Sequence, residues 1–333
     1  MRVLVTGARG YLGAHIADFL MRGGHEVIGS MRTLTPPAGD ERVFKEFTSR
    51  MQSVVVGDLR ERSVLDSLSK GPGGPHGLDA VVHTVSLNHQ KSEEDPGNTL
   101  STNVGVTWEL LRRLTSQNPK LRFVYFSTFH VYGRTGAVKI DESTKTAPLN
   151  AYALTHLFSE ELVRSFSRST GMVGHSIRLS NGFGAPAFRD ADCWWLVLND
   201  FCKTALSKKR IEILSDGTAQ RDFIHVDDIA ASVGLLLRDP RGSDGGDVYN
   251  VASGRTYTIL ELALIVQKTL ERDFEMRVPI TVQGKIYEDS TVSPVAKFEC
   301  DSSKLRSLGF QPKKTIEDGV REIVRFIQAR GTP

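Results

Sequence analysis

Three glycines near the start of the chain have the spacing of a phosphate-binding turn. Gly7, Gly10 and Gly13 lie in the stretch RVLVTGARGYLG, after an apolar run and before a segment with helical periodicity. Glycines let the backbone approach a pyrophosphate closely, and the unpaired N–H groups at a helix start attract its charge. The residues predicted to contact the ligand that carries this pyrophosphate are Gly7, Arg9, Gly10, Tyr11, Leu12 and Gly13. The alternative is an ordinary strand-to-helix turn. The spacing here is Gly-x-x-Gly-x-x-Gly, whereas the commoner spacing of dinucleotide-binding turns is Gly-x-Gly-x-x-Gly.

Strands and helices alternate around and after this turn. Apolar runs predict strands at 3–5, 26–29, 53–58, 79–83, 122–127 and 175–179, and the glycine- and proline-rich stretch 71–75 predicts a linker. This alternation is typical of a parallel sheet covered on both faces, whose ligands bind at the carboxyl ends of the strands. The residues at those ends are Gly7, Met31, Asp58, Thr84, Thr128 and Asn181.

Composition excludes several classes of function. The 333 residues carry a net charge of only +3, which gives no reason to expect a nucleic acid or an anionic membrane as partner. No apolar run approaches the roughly 20 residues of a membrane span, and the chain begins with a core strand instead of a secretion signal. Cys193, Cys202 and Cys300 lack metal-ligand spacing. We therefore expect a reduced, cytoplasmic protein without a structural metal.

Further motifs follow in a fixed order along the chain. They are Gly57-Asp58-Leu59, Ser127-Thr128-x-x-Val131-Tyr132-Gly133, Tyr152, Arg178-x-x-Asn181 and the stretch RDFIHVDD at 221–228. Together with the glycine turn they resemble the extended short-chain dehydrogenase/reductases, specifically the NAD(P)-dependent nucleotide-sugar epimerase/dehydratase family. The resemblance runs from Met1 to about Ile327.

The resemblance implies an α/β fold in two parts. A Rossmann-type doubly wound parallel sheet would occupy residues 1–182, and residues from about 222 to 252 would return to it. A smaller mixed α/β C-terminal domain, at about 183–221 and 253–333, would bind a nucleoside-diphosphate sugar as substrate. The resemblance also implies a homodimer through two helices per subunit, at 102–116 and 149–169.

The family's acid/base tyrosine matches Tyr152, and Thr128 matches the residue that hydrogen-bonds the same oxygen. The family places a lysine four residues after the tyrosine, on the same helix face, but this chain has His156 there. An imidazole offers no permanent charge to stabilise a tyrosinate. Three hypotheses stay open: a working but altered enzyme, a weak or relocated catalyst, and a cofactor-binding protein that has lost the chemistry.

The end of the second predicted strand favours NADP(H) over NAD(H). Members that use NAD have an acidic residue at this position to hold the ribose hydroxyls, whereas this chain has Met31. Ser30, Arg32 and Arg9 suit a 2′-phosphate instead, although both arginines could be ordinary surface residues. The resemblance assigns other cofactor contacts to Asp58, Leu59, Thr84, Val85, Ser86, Asn103, Tyr152 and His156.

The remaining motif positions limit the reaction. Family dehydratases have Asp-Glu after the threonine matched by Thr128, but this chain has Phe129-His130, so dehydration lacks its acid and base. His130 matches a sugar-facing acid/base residue of related reductase/epimerases, or else only fills space. The substrate contacts implied are Ser86, His89, Thr128, Asn181 and Arg221. We predict 4-keto reduction or 4-epimerisation of a nucleotide sugar; the alternative is a catalytically weakened regulatory subunit of another enzyme.

Overall fold

A seven-stranded parallel sheet forms the centre of the molecule. The computed structural model describes residues 1–70, 77–136, 138–239, 241, 246–287 and 297–331, so the predicted linker at 71–75 lies outside the described residues. The strand order is β11-β7-β5-β4-β1-β2-β3, with every neighbouring pair parallel. These strands are β1 (Arg2–Thr6), β2 (Glu26–Met31), β3 (Ser53–Val56), β4 (Ala80–His83), β5 (Arg122–Thr128), β7 (Val173–Leu179) and β11 (Asp247–Val251).

Helices cover both faces of this sheet. Alternate residues of one strand point to opposite faces, so Val3 and Val5 join one apolar cluster and Leu4 joins another. The helices are α1 (Tyr11–Arg22), α2 (Glu41–Ser49), α3 (Arg62–Lys70), α4 (His89–Glu94), α5 (Pro96–Thr99), α6 (Val106–Thr115), α7 (Ala151–Thr170), α8 (Val197–Lys208), α9 (Val226–Leu236), α10 (Ile259–Phe274), α11 (Ser303–Arg306) and α12 (Ile316–Arg330). Residues 100–105 form a turn of π-helix before α6, and residues 129–132 form a 3₁₀ turn.

A second apolar core lies in the C-terminal part of the chain, where α8, α10 and α12 pack together with Phe183 and Phe223. Three small sheets accompany it. Their strands are β6 (Lys139–Ile140), β8 (Asn181–Phe183), β9 (Ile211–Ile213), β10 (Gln220–His225), β12 (Thr256–Thr258), β13 (Ile280–Val282), β14 (Lys285–Ile286) and β15 (Glu299–Cys300). They pair as β12-β10-β8, β14-β13-β9 and β15-β6.

The segment expected to return to the large sheet does so only in part. Strand β11 pairs with β7 at the sheet edge, and α9 packs on α1. The prediction was wrong for β10, which pairs with β8 and β12 instead. An apolar run identifies a strand but does not specify its partner, and β7 is already occupied on both sides by β5 and β11. The predicted domain boundaries stay a prediction.

No helix in the described part of the chain is both long and apolar enough to span a membrane.

Candidate active site

The glycine turn between β1 and α1 forms a cradle that larger residues would fill. Gly7 has φ +70°, and a Cβ atom there would lie 2.9 Å from the Thr84 hydroxyl. A Cβ at Gly13 would lie 2.1 Å from the Gly7 carbonyl oxygen. Gly10 caps α1 without a side-chain hydrogen bond, so the backbone N–H groups of the first turn have no intrahelical partner. This turn fits the pyrophosphate of a dinucleotide.

The end of β2 lies beside this turn. Ser30 and Met31 are buried, whereas Arg32 is exposed, and its charge lies close enough to Asp58 to contribute to the lowered pKa of that carboxyl group. Arg9 is already engaged, because its guanidinium lies 2.7 Å from the Asp190 carboxylate and above the Phe44 ring. Of the two predicted phosphate-binding arginines, only Arg32 is thus available in this conformation.

Asp58 follows β3 and is held by its neighbour. Arg60 donates to both carboxylate oxygens at 2.6–3.1 Å and also to Asn98 Oδ1 at 2.6 Å. Hydrogen bonds from Arg60 lower the pKa of Asp58, against a smaller opposing effect of burial. Leu59 is buried beside it. The predicted adenine contact is thus an ionised carboxylate paired with an arginine that the sequence analysis did not single out.

Tyr152 and Thr128 meet at the carboxyl edge of the sheet. Asn150 caps α7 by accepting a hydrogen bond from the backbone N–H of Ala153 at 2.8 Å, which places Tyr152 in the first turn of the helix. Thr128 is the last residue of β5 and is buried. Burial raises the pKa of the Tyr152 phenol, and the neighbouring Thr128 side chain partly offsets this effect. Tyr152 is therefore a neutral phenol at pH 7.

His156 lies one helical turn after Tyr152, as the spacing predicts. The two ring centroids are 4.5 Å apart, with the rings edge-on. Burial lowers the pKa of His156 to about 3, against an opposing effect from the backbone of Phe126. The tyrosine thus has a neutral imidazole beside it and not a cation.

Two exposed histidines border the same tyrosine. The rings of His130 and His89 lie 5.8 and 6.2 Å from the Tyr152 ring and 6.1 Å from each other. Although part of His130 reaches the surface, the protein packed around its ring lowers its pKa, and the neighbouring His89 lowers it further. Asn150 fixes His89 through a 2.9 Å contact between Nδ2 and Nε2. The predicted acid/base residue His130 and the predicted substrate residue His89 therefore both lie near the phenol.

The other predicted residues differ in how many of their polar groups already form hydrogen bonds within the protein. Asn103 is buried and uses both ends of its amide, accepting from Leu87 N and donating to Thr155 Oγ1. Asn181 donates to the Asp222 carbonyl, and Arg221 is exposed, with a bond to the carbonyl of Gln220. Ser86 is exposed in the loop after β4, with Val85 half-buried before it. Asn103 therefore fixes the loop that carries the proposed ligand contacts.

A buried ion pair between Glu160 and Arg178, which the sequence analysis missed, links α7 to β5 and β7. Glu160 of α7 accepts two hydrogen bonds from Nε of Arg178 (3.0 and 3.2 Å), one from its Nη2 (2.7 Å) and one from the Ser127 hydroxyl (2.5 Å). The Arg178 guanidinium also lies 4.8 Å from the Tyr132 ring centroid. The pair joins α7, β5 and β7, so it fixes the helix that carries Tyr152. The available signal was Arg178 itself, an arginine within a predicted buried strand that contains no other lysine, arginine, aspartate or glutamate.

One further cluster has metal-like geometry among the described residues. Ligand atoms of His225, Asp227 and Glu322 lie within 4.8 Å of one another. The Lys314 ammonium group is 2.6 Å from Glu322 and 3.6 Å from Asp227, and His225 Nε2 is 2.9 Å from Glu322. The Lys314 charge thus offsets part of the negative charge of the two carboxylates, and the cluster joins α12 to β10.

The burial of His83, at the end of β4, should make the free energy of unfolding fall at acidic pH. Thr6 and Thr107 hydroxyls occupy its two ring nitrogens at 2.7 and 3.1 Å, and burial lowers its pKa to about 3. The unfolded chain binds a proton near pH 6.5 that the folded chain excludes, so stability is complete above that pH and is lost as the pH falls. Between pH 7 and 5 the loss is about 2 kcal/mol for this histidine. Urea unfolding should show a smaller pH dependence in His83→Gln; an unchanged dependence would contradict the assignment.

Fold and site together define an enzyme of the extended short-chain dehydrogenase/reductase type. The chain belongs to the NAD dependent epimerase/dehydratase family, whose profile matches residues 3–252. The chain is 26% identical over 327 residues to the low-salt glycan biosynthesis protein Agl12 of Haloferax volcanii, covering 98% of each chain. It is also 26% identical to the UDP-glucose 4-epimerase of Bacillus subtilis, covering 96% of this chain and 94% of the relative.

A solved structure has the same fold throughout. The UDP-glucose 4-epimerase of Stenotrophomonas maltophila, determined with NAD and formylated UDP-arabinopyranose, superposes with a TM-score of 0.82 at 23% identity. The match covers 99% of this chain and 98% of that one.

Proposed function

We propose that this enzyme oxidises or reduces C4 of a nucleoside-diphosphate sugar with a nicotinamide dinucleotide. The observation that carries the proposal is the neutral, buried Tyr152 phenol, whose ring lies 4.5 Å from the neutral His156 ring and whose pKa is influenced by the neighbouring Thr128 side chain at the end of β5. The relatives named as UDP-glucose 4-epimerases support the substrate class and the position. Residues of the C-terminal part, with Asn181 and Arg221, would hold the nucleotide and its phosphates.

The roles of the side chains follow from their protonation states. The dinucleotide, when bound, supplies or accepts the hydride. Tyr152 donates its proton to the sugar oxygen at C4 during reduction, and Thr128 orients the phenol. His156 offers one neutral hydrogen bond. Because none of the described residues places a fixed cation beside the phenol to stabilise a tyrosinate, proton donation is easier than proton abstraction. We therefore favour 4-keto reduction over 4-epimerisation.

The experiment that tests this function is incubation with a panel of nucleotide sugars and their 4-keto derivatives, monitored by NMR. We expect reduction of at least one 4-keto sugar when reduced dinucleotide is present. The neutral His156 also favours a second candidate, a dinucleotide-binding regulatory subunit. If the protein bound a dinucleotide but neither bound nor turned over any nucleotide sugar, the proposed reaction would be rejected and the regulatory subunit supported.

We further propose that the dinucleotide is NADP(H), held at its 2′-phosphate by Arg32. A charge-assisted bond to a phosphate contributes about 1.5–3 kcal/mol, so Arg32→Ala should weaken NADPH binding by roughly 10- to 100-fold and leave NADH binding nearly unchanged. Calorimetric titration measures both. The control is Arg42→Ala, an exposed arginine paired with Glu46. Equal affinities of the unmodified protein for NADPH and NADH would contradict this specificity and favour NAD(H).

We also propose that a second copy of the chain covers the outer face of α6 and α7. Trp108 of α6 and Leu154 and Phe158 of α7 are large, apolar and exposed on these two adjacent helices. Trp108 packs edge-on against Phe166, which lies eight residues after Phe158 on α7. A twofold-symmetric contact between two copies of this face would remove the apolar side chains of both copies from water.

Trp108→Glu combined with Phe158→Glu should therefore convert a dimer to a monomer in analytical ultracentrifugation. Leu214→Glu serves as the control, because Leu214 is a highly exposed apolar residue outside these helices. A monomeric unmodified protein, or a double variant that stays dimeric, would contradict the proposal.

A further inference from the structure

A buried tyrosine lies behind His156. Tyr125 belongs to β5, and its side chain packs in the same apolar cluster as Phe123, beneath α6 and α7. Its hydroxyl oxygen lies 2.8 Å from Nδ1 of His156, and the two ring centroids are 5.8 Å apart. Both side chains are buried. The sheet therefore controls one of the two nitrogens of the histidine that follows the catalytic tyrosine.

The proton in this hydrogen bond belongs to the tyrosine. Burial raises the pKa of the Tyr125 phenol and lowers the pKa of His156, so both groups are neutral at pH 7. A phenol is a stronger acid than a neutral imidazole N–H, and an imidazole nitrogen is a stronger base than a phenol oxygen. The stronger bond therefore has Tyr125 donating to Nδ1, which leaves the single ring proton of His156 on Nε2.

The other nitrogen of His156 is left without a partner. Nε2 is buried and forms no hydrogen bond of ordinary geometry with any described residue, although the Phe126 backbone lies close enough to the ring to raise its pKa. The ring to which it belongs lies 4.5 Å from Tyr152. A buried N–H without an acceptor is unfavourable, so this atom is suited to an oxygen supplied by a ligand bound beside the tyrosine.

We propose that Tyr125 is a positioning residue, whose hydroxyl fixes His156 as the Nε2–H tautomer so that Nε2 can donate to a ribose hydroxyl of the dinucleotide. The identity of that ligand rests on the proposed function, but the tautomer is a property of the unliganded protein. In this arrangement His156 supplies direction without charge, and Tyr125 determines which nitrogen faces the ligand.

Nitrogen-15 NMR of histidine-labelled protein tests the tautomer directly. The full chain is used at pH 7 without cofactor, and the His156 signals are identified by their loss in His156→Gln. We expect an unprotonated, hydrogen-bonded Nδ1 and a protonated Nε2. In Tyr125→Phe, which keeps the ring and removes the hydroxyl, the signals should move towards an average of the two tautomers. The dissociation constant of the dinucleotide should rise about fivefold.

The matched control is Tyr132→Phe. Tyr132 is also buried, and its hydroxyl donates to Asn250 Oδ1 at 2.7 Å instead of to a histidine. This variant should leave the His156 signals unchanged and the dissociation constant within about twofold. A protonated Nδ1 in the unmodified protein, or unchanged His156 signals in Tyr125→Phe, would overturn the inference. If the expected tautomer were present but the protein turned over no nucleotide sugar, only the proposed function would be rejected.

Discussion

Replacing Tyr152 by phenylalanine is expected to lower the turnover number about a thousandfold, with little change in Michaelis constant. The substitution removes the proton donor while keeping the ring that packs against His156 at 4.5 Å. General acid catalysis by a positioned side chain contributes on the order of 10²- to 10⁴-fold, which sets the size of the effect. Steady-state kinetics on the substrate found in the panel measures both constants.

The control for this variant is again Tyr132→Phe, which removes a buried tyrosine hydroxyl that donates to Asn250 Oδ1. It should keep the turnover number within about threefold, because an ordinary hydrogen bond affects mainly stability. If Tyr152→Phe retained more than a tenth of the activity, the proton would come from elsewhere. His130 and His89, the two histidines beside the phenol, would then be the next residues to replace.

Replacing Glu160 by glutamine is expected to lower the free energy of unfolding by about 3–5 kcal/mol. The substitution keeps the side-chain shape but leaves the Arg178 guanidinium buried and without its counter-charge. Removing one partner of a buried ion pair costs far more than the pair itself contributes, because the remaining charge has no water. Urea unfolding followed by circular dichroism measures the change at pH 7.

An exposed pair provides the comparison. Glu46→Gln breaks the bond to Arg42 on the surface of α2, where we expect a change below about 0.5 kcal/mol. A loss of less than about 1 kcal/mol in Glu160→Gln would show that Arg178 finds another partner or water, and that this pair does not fix α7.

Local patterns predicted the parts of the fold that depend on nearby residues. The apolar run at 3–5, the glycines after it and the following helix are one continuous signal, and the structure has β1, the turn and α1 in that order. The spacing of Tyr152 and His156 likewise places them on one helix face, which the ring contact confirms. Both predictions need only the geometry of a single element.

Contacts between distant elements were not predictable in the same way. Arg9 and Asp190 are 181 positions apart, so their ion pair depends on how the loop after β8 crosses α2. Tyr125 and His156 meet because α7 crosses β5 at one particular height. The signal for Tyr125 was only a hydroxyl in an apolar strand, and a strand pattern does not tell which residue of a later helix lies above it.

Transfer of deuterium from labelled NADPH to a 4-keto nucleotide sugar tests the central claim most directly. The cofactor carries deuterium at the transferable position of the nicotinamide, and the product is examined by proton and deuterium NMR. The account predicts deuterium at C4 of the sugar in the unmodified protein, and about a thousandfold slower incorporation in Tyr152→Phe. Deuterium at any other carbon, or a reduced product without deuterium, would contradict hydride transfer at C4.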